Sequence, residues 1–395
     1  MESPVHVNDL AAFLIADDLT GACDAAAPFA GRGLHTQVTL DREQMPRAEV
    51  IACHTDSRNV AVVTARKRIR SAVELSHQRE PHLLFKKIDS AFRGNSVDEI
   101  RACLDFLPHK FAILAPAFPP LGRRVRGGRV IVEDFAGHSM VDLPSQLRER
   151  GMEFRTLEPA STTVGEPLAE RISHANEDGL RLILCDTETQ QDLDAIVQAG
   201  LRSGLDLIWL GSAGLAHALA NAQSVSHRET AWVPKKNIGA VVFCIGSDHP
   251  VTLEQVRYLK QAAAVTDVFL GAGAGDEICL ALRSATDVLL HIDRNRGNFG
   301  RSYLRNIRDV FRAIAGQHIG KLVLSGGDTA AMICDALEAQ AIEVRNELLP
   351  GIPCGVIRGG AADGLTVITK SGGFGAEDAL LRVAHFFGGG ARTQP

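Results

Sequence analysis

Asp17 and Asp18 stand side by side at the end of the apolar run Ala12-Phe13-Leu14-Ile15-Ala16, and Thr20-Gly21 follows them. Adjacent carboxylates repel, so a cation, a polyol or a set of hydrogen bonds must hold the pair. The same placement recurs. Asp56 and Arg58 follow the apolar run 49–53, and Asp89, Ser90, Arg93 and Asn95 follow the run 83–88. An arginine fork pairs with a carboxylate through two bonds, and an aspartate accepts from hydroxyls. Acids and arginines gathered in this way suit a small hydroxy acid. Arg123, beside Gly122 after Pro119-Pro120, is placed to reach over the same edge. Plain ion pairs that stiffen loops would use the same residue types, Asp56 with Arg58 above all.

A second set of residues suits phosphate. Gly211-Ser212, Gly246-Ser247 and Ser325-Gly326-Gly327-Asp328-Thr329 each lie between a strand-like and a helix-like segment. Such turns aim backbone N–H groups and a helix N-terminus at one point, which favours an anion. A tight turn that needs glycine for its own sake is the alternative reading. Lys370-Ser371-Gly372-Gly373-Phe374-Gly375 sets a cation beside three glycines. The candidate nucleotide-binding residues are therefore Ser247, Ser325, Gly326, Gly327, Asp328, Thr329, Lys370, Gly372 and Gly373. None of these stretches is a Walker A loop, because the Gly-x-x-x-x-Gly-Lys-Ser/Thr order is absent. Gly271-Ala272-Gly273-Ala274-Gly275, with Asp293 about twenty residues on, approaches a dinucleotide fingerprint. Its third glycine comes one residue early, and a flexible loop is expected there. His138 and His249 stand alone.

The elements that must position these groups alternate between strand and helix. The expected fold is α/β with two domains, each a largely parallel sheet flanked by helices, and with the active site in the interdomain cleft. Residues 1–225 form the expected N-terminal domain, which carries the acids and arginines, 226–237 a polar linker, and 238–395 the C-terminal domain, which carries the phosphate-type loops. In such sheets ligands bind outside the carboxyl ends of the strands. All the acids and arginines above would then share one edge. Ser96 is expected to cap a helix over 97–107, with Glu99 in the capping-box position. Residues 121–129 read as a loop rich in Gly and Arg.

Composition narrows the function. The chain has 395 residues and a net charge of −5, which suggests neither a nucleic-acid partner nor a membrane surface. No apolar run reaches membrane-spanning length, and the N-terminus lacks the pattern of a signal peptide, so a cytoplasmic protein is expected. The eight cysteines are scattered without Cys-x-x-Cys spacing and read as reduced core thiols. No His-x-His or His-Glu-x-x-His pair occurs, so no metal site built from side-chain clusters is expected. One half thus offers an acid-and-arginine polyol site and the other offers phosphate loops. Phosphoryl transfer would use both. It needs a positioned hydroxyl, a carboxylate to take or orient its proton, and Mg²⁺ on the phosphates. Asp17 and Asp18 are the catalytic candidates. Asp56, Arg58, Asp89, Ser90, Arg93, Asn95 and Arg123 are the substrate-binding ones.

The motifs Ile15-Ala16-Asp17-Asp18-Leu19-Thr20-Gly21, Thr55-Asp56-Ser57-Arg58, Lys87-Ile88-Asp89-Ser90-Ala91-Phe92-Arg93-Gly94-Asn95 and Pro116-Ala117-Phe118-Pro119 resemble the N-terminal half of the four-carbon acid sugar kinases. Gly246-Ser247, the 325–329 turn, Pro350-Gly351-Ile352-Pro353 and the 370–375 turn resemble their C-terminal half. The resemblance implies ATP-dependent phosphorylation, with Mg²⁺, of the terminal hydroxyl of a threonate, an erythronate or an oxo-tetronate. It implies that Asp17, Asp18, Asp89 and Arg93 lie on the substrate side, and Ser247, Gly326, Gly327, Thr329, Gly372 and Gly373 on the nucleotide side. Ala91 and Phe92 replace the family's usual Thr and Leu, Arg124 stands where a Thr is usual, and Asp328 stands where Glu is usual. The first two departures bear on the sugar pocket. A homodimer is a candidate assembly. Two other functions compete: an NAD(P) oxidoreductase resting on the 271–275 glycines, and a non-catalytic sensor of an acidic metabolite.

Overall fold

The computed structural model describes residues 10–41, 45–135, 137–158, 166–223, 239–292, 301–314 and 319–386, with backbone alone at 301–304. The expected linker, 226–237, and Asp293 lie outside them. The chain forms two compact units, one of residues 1–36 and 47–228, the other of residues 37–46 and 229–395. The stretch 37–46, placed in the first domain by the sequence reading, belongs with the second unit, where the Leu40 amide donates to the Gln340 carbonyl at 2.9 Å.

The first unit runs β1 (Ala12–Ala16), α1 (Leu19–Gly31), β2 (Thr36–Thr39, which belongs to the second unit from residue 37 on), β3 (Val50–His54), α2 (Val62–His77), β4 (Leu83–Lys87), α3 (Ser96–Phe106) and β5 (Phe111–Ala115). It continues with β6 (Arg123–Arg126), β7 (Arg129–Asp134), β8 (Gly137–Asp142), α4 (Leu143–Glu149), β9 (Arg155–Leu157), α5 (Leu168–Glu177), β10 (Leu182–Cys185), α6 (Gln190–Arg202), β11 (Leu207–Gly211) and α7 (Ala213–Ala222). Its main sheet has the order β3-β1-β4-β11-β5-β10-β9, with all pairs parallel. Helices cover both faces of such a sheet, so its strands are buried throughout and read as unbroken apolar runs. Phe13, Leu14, Ile15, Ile113 and Leu114 are fully buried.

The second unit runs β12 (Ala240–Ile245), α8 (Pro250–Ala262), β13 (Val265–Phe269), α9 (Ala274–Arg283), β14 (Asp287–His291), α10 (Arg301–Ile314), β15 (Ile319–Ser325), α11 (Gly327–Ala336), β16 (Ala341–Leu349), β17 (Ile352–Arg358), β18 (Thr366–Lys370) and α12 (Ala379–His385). Its strands lie in the order β13-β14-β12-β15-β18-β17-β16. They are parallel as far as β18, and then β17 and β16 run antiparallel. Val241, Phe243, Leu289, Val323 and Ile368 from these strands centre the core. Each sheet has a point where the chain departs to opposite sides. β1 lies between β3 and β4, and β12 between β14 and β15. The loops after β1 and β12 therefore open at topological switch points, where a crevice forms without further design.

Two local expectations are corrected. Residues 121–129 are not a loop, because β6 and β7 form a hairpin within a three-stranded antiparallel sheet with β8. Gly127 and Gly128 have φ of 56° and 73°, the positive pair that a two-residue type I′ turn requires. The Asp186 carboxylate accepts from both of their amides, at 2.5 and 2.8 Å. Strand alternation then buries Arg123 and Val125 and exposes Arg124 and Arg126. At α3, Ser96 opens the helix without a side-chain cap bond, and its hydroxyl donates back to the Arg93 carbonyl at 2.9 Å. Glu99 makes no capping box. It points into the sheet and pairs with Lys86. The eight cysteines carry free thiols, and all but Cys279 are buried.

Candidate functional site

On the first unit, Arg58 joins three of the expected acids. Its Nε donates to Asp17 Oδ2 at 2.6 Å, its Nη1 lies 2.6 Å from Asp18 Oδ2, and its Nη2 lies 3.5 Å from Asp89 Oδ1. Arg93 grips Asp89 from the other side through two bonds, Nε to Oδ2 at 2.9 Å and Nη2 to Oδ1 at 2.6 Å. Local structure prepares each group. Asp18 is the N-cap of α1, accepting the Gly21 amide at 2.6 Å. Asp89 accepts the Ala91 and Arg93 amides at 3.2 and 3.0 Å, which folds the loop after β4 on itself. Gly94 lets that loop pass the Arg58 backbone: a Cβ there would lie 2.2 Å from the Arg58 carbonyl oxygen, and its φ is +66°.

The charges are concentrated and largely dry. All three carboxylates are buried, while the Arg58 side chain is 16 % exposed and that of Arg93 44 %. Burial drives all three acids upward in pKa. For Asp17 the Arg58 guanidinium, helped by Lys86, outweighs burial and holds the carboxyl below the ordinary aspartate range. Arg58 and the Arg93 bonds hold Asp89 well below it. Asp18 goes the other way, because burial and the adjacent Asp17 charge together outweigh Arg58 and raise it. Two neighbouring acids pushed in opposite directions is the pattern expected where one must stay ionised and the other must handle a proton. Asp17 Oδ1 is buried and has no hydrogen-bond partner.

Not every expected residue joins this cluster. Asp56 does not pair with Arg58. Its carboxylate lies 2.8 Å from His54 Nδ1, and its φ of 48° turns it aside. Asn95 Nδ2 donates to the Ser57 and Val60 carbonyls at 2.7 and 2.8 Å, so it anchors the loop carrying Arg58. Ser90 is buried beside Asp89. Arg123 is buried and engages Asp134 at 3.2 Å and the Leu121 carbonyl. Burial pulls its guanidinium below the ordinary arginine value, against the attraction of Asp134 and Asp89.

The sequence reading missed a buried layer beneath the acids. Lys86 Nζ lies 2.6 Å from Glu99 Oε2, and both side chains are almost wholly buried, at 0 and 1 %. Lys87 Nζ lies 3.6 Å from Asp24 Oδ2 on α1. Two lysines within the apolar run 83–88 were the available signal.

On the second unit, three loops meet at the carboxyl ends of adjacent strands. Gly246 N donates to the Ser325 carbonyl at 3.2 Å, and Gly326 N to the Lys370 carbonyl at 3.0 Å. Their glycines are required by close approach. A Cβ on Gly246 would lie 2.0 Å from Thr329 Oγ1, and one on Gly372 would lie 2.2 Å from Ser247 Oγ. The Ser325 and Thr329 hydroxyls are buried without hydrogen-bond partners. Unmet polar groups in a glycine cradle at a helix N-terminus fit phosphate oxygens.

Lys370 corrects an expectation. Its ammonium does not face the cradle. It is buried, donating to Thr252 Oγ1 at 3.1 Å and to the carbonyls of Ser371, Gly372 and Phe374 at 3.0, 3.1 and 3.3 Å. Thr252 and Gln255 of α8 hold the same turn through the carbonyls of residues 372 and 374–376. Lys370 is thus a peg that shapes the glycine turn. The 271–275 glycines sit elsewhere, after the edge strand β13 and away from the switch point. Asp276 and Glu277 in the first turn of α9 would repel a pyrophosphate there. Gly275 instead makes room for Ala313 of α10. Among the described residues, no three His, Cys, Asp or Glu side chains are grouped to hold a metal, and no helix is long and apolar enough to cross a membrane.

Comparison with known proteins follows the same division. Residues 12–219 match the model of a sugar-binding N-terminal domain, and residues 242–380 that of a nucleotide-binding C-terminal domain. A D-threonate kinase of Cupriavidus necator is 31% identical, over 93% of this chain and 95% of its own. A D-erythronate kinase of Heliobacterium modesticaldum is 29% identical, over 93% and 94%, and a 3-oxo-tetronate kinase of Cupriavidus necator 26% identical, over 95% and 96%. Solved structures from Salmonella typhimurium and Haemophilus influenzae share the fold, with TM-scores of 0.71 and 0.68 over 95% of this chain and 99% and 100% of theirs, at 20% and 18% identity. An acid-and-arginine site on a sugar-binding unit, a glycine cradle on a nucleotide-binding unit and relatives matched along nearly their whole length place this chain in the family of four-carbon acid sugar kinases.

Proposed function

We propose that the protein transfers the γ-phosphoryl group of ATP to the terminal (4-) hydroxyl of a four-carbon sugar acid of the threonate, erythronate or oxo-tetronate class. The observation that carries this reading is the binding of Asp17, Asp18 and Asp89 to one guanidinium at the β1 switch point, with Arg93 half exposed beside them. Such a site offers acceptors for hydroxyls and a cation for a carboxylate. The curated relatives act on threonate, erythronate and 3-oxo-tetronate.

Each group then has a role. Asp18, with its pKa raised, takes the proton of the attacking hydroxyl as the bond to phosphorus forms. Asp17 and Asp89 remain ionised and fix Arg58. Arg93 and Arg123 are the cations for the substrate carboxylate, with Ser90 beside them. On the second unit, Ser247, Ser325, Gly326, Gly327, Thr329, Gly372 and Gly373 hold the phosphates. The nucleotide's own phosphate oxygens would carry the Mg²⁺, with Asp328 as the nearby acid, and the ion would neutralise charge on the transferring group.

The test is ADP release from Mg-ATP with a panel of D- and L-threonate, D- and L-erythronate and their 3-oxo forms. Turnover that depends on one of these acids is the expected result. Background release with every acid would overturn the reading.

A further inference from the structure

We propose that Lys86 and Lys87 are positioning residues that act separately on the two adjacent acids, Lys86 beneath Asp17 and Lys87 beneath Asp18. The inference rests on the reading of Asp17 and Asp18 as the reactive pair.

Strand register makes the pairing. β1 and β4 are parallel neighbours, with Ile15 opposite Lys86. Side chains alternate along a strand, so Lys86 shares a face with Ile15, and Lys87 shares the other with Ala16, the last residue of β1 before Asp17. β1 ends at Ala16 and the chain bends at Asp17 and Asp18, whose carboxylates both meet Arg58, so it is the two lysines that diverge to opposite faces beneath the pair. The two lysines diverge accordingly. Lys86 meets Glu99 of α3 on one face, and Lys87 meets Asp24 of α1 on the other. Each also donates to a backbone carbonyl, Lys86 to that of Lys87 at 2.7 Å and Lys87 to that of Ile88 at 3.1 Å.

The electrostatics follow the same split. Lys86 acts on Asp17 and Lys87 on Asp18, each drawing its own acid downward. Asp17 is faced by Arg58, Lys86 and Asp89, with Glu99 behind Lys86, and Asp18 by Arg58, Asp17 and Lys87, with Arg93 in range. The Lys86 side also reaches the loop mechanically. Ser57 lies beside Glu99, its amide donates to the Asp17 carbonyl at 3.0 Å, and its hydroxyl lies 2.6 Å from that of Thr55, which donates to the Ala16 carbonyl at 2.9 Å. A fully buried ion pair is a poor source of stability compared with apolar side chains of the same size. A central parallel strand has no packing need for two lysines.

The test reads the carboxyls directly. Asp17 and Asp18 are titrated by ¹³C NMR in protein carrying ¹³C-labelled aspartate, for the wild type, Lys86→Met and Lys87→Met. Lys86→Met is expected to raise the Asp17 midpoint by about one unit and to move Asp18 less, and Lys87→Met to do the reverse. Where Lys86→Met alone unfolds, the Lys86→Met/Glu99→Leu pair, which removes both members of that buried ion pair, takes its place, with an upward Asp17 shift that is smaller because the repelling Glu99 charge goes too. Unmoved midpoints, or equal movement of both acids in each variant, would overturn the proposal. These readouts need no turnover, so they fail or succeed independently of the kinase reading, which ADP release decides.

Discussion

Arg58 and Asp17 are 41 residues apart in sequence, yet Nε of one donates to Oδ2 of the other at 2.6 Å. The bond ties the loop after β3 to the end of β1. Through Nη1 and Nη2 the same side chain reaches Asp18 and Asp89, so three loops are held by one planar cation. Arg58 is raised well above the ordinary arginine value, against burial, by the three carboxylates it meets.

Removing Arg58 leaves buried carboxylates without their partner. Arg58→Leu should lose about 3–5 kcal/mol of stability, as expected when one member of a buried charge pair is deleted. Arg58→Lys should recover only part of it, because a compact ammonium lacks the spread of Nε, Nη1 and Nη2 with which the planar fork meets three carboxylates. Urea denaturation measures both, and a loss under about 1 kcal/mol in Arg58→Leu would refute the pinning role.

Asp17 and Asp18 should separate kinetically. Asp18→Asn should lower kcat by about 10²–10⁴-fold, the usual worth of a general base. Asp17→Asn should raise KM for the sugar acid and lower stability, with the smaller effect on kcat. Steady-state kinetics with a saturating nucleotide distinguish them, and equal, mild losses in both would dismiss the assignment.

The glycine cradle makes a prediction specific to the nucleotide. In Gly372→Ala the new methyl meets Ser247 Oγ at 2.2 Å, and in Gly246→Ala it meets Thr329 Oγ1 at 2.0 Å. Each should raise KM for ATP about tenfold or more, about 1.4 kcal/mol or above, while KM for the sugar acid stays unchanged. A parallel rise in both constants would point to general misfolding of the unit.

Lys370 gives a pH signature. Burial lowers its pKa from 10.5 to about 7. Between those values the unfolded chain binds the extra proton, so stability should rise with pH from about 7 towards 10.5, and this contribution should be lost as pH falls through about 7. Lys370→Met should flatten that slope while weakening nucleotide binding, since the peg under the 371–374 turn is gone. A Tm–pH profile over this range, compared between the two proteins, measures it. An unchanged slope would show that Lys370 titrates as an ordinary lysine.

Much of this protein could be read from the chain alone. Buried parallel strands must be apolar along their whole length, so β1, β5, β10 and β12 stand out as runs, and the residue after each run had to lie at a strand's carboxyl end. That logic sufficed to nominate Asp17, Asp18, Asp89, Arg93 and the glycine loops. It could not choose partners. Whether Arg58 turns to Asp56, two residues away, or to Asp17, 41 residues away, depends on the backbone at Asp56 and on the strand order β3-β1-β4, neither of which is a local property. The direction of a long side chain was hidden for the same reason. Lys370 looked like a phosphate ligand by its neighbours, but Thr252 of α8 and the carbonyls of its own turn supply acceptors on the inner side and draw it there. Glu99 looked like a cap, but a buried lysine on β4 outbid the helix terminus for its carboxylate, because an unpaired buried charge costs more than an open cap. The acids at the centre of the site were legible because strand ends are a one-dimensional signal, whereas the cations that tune them were set by register between strands distant in sequence.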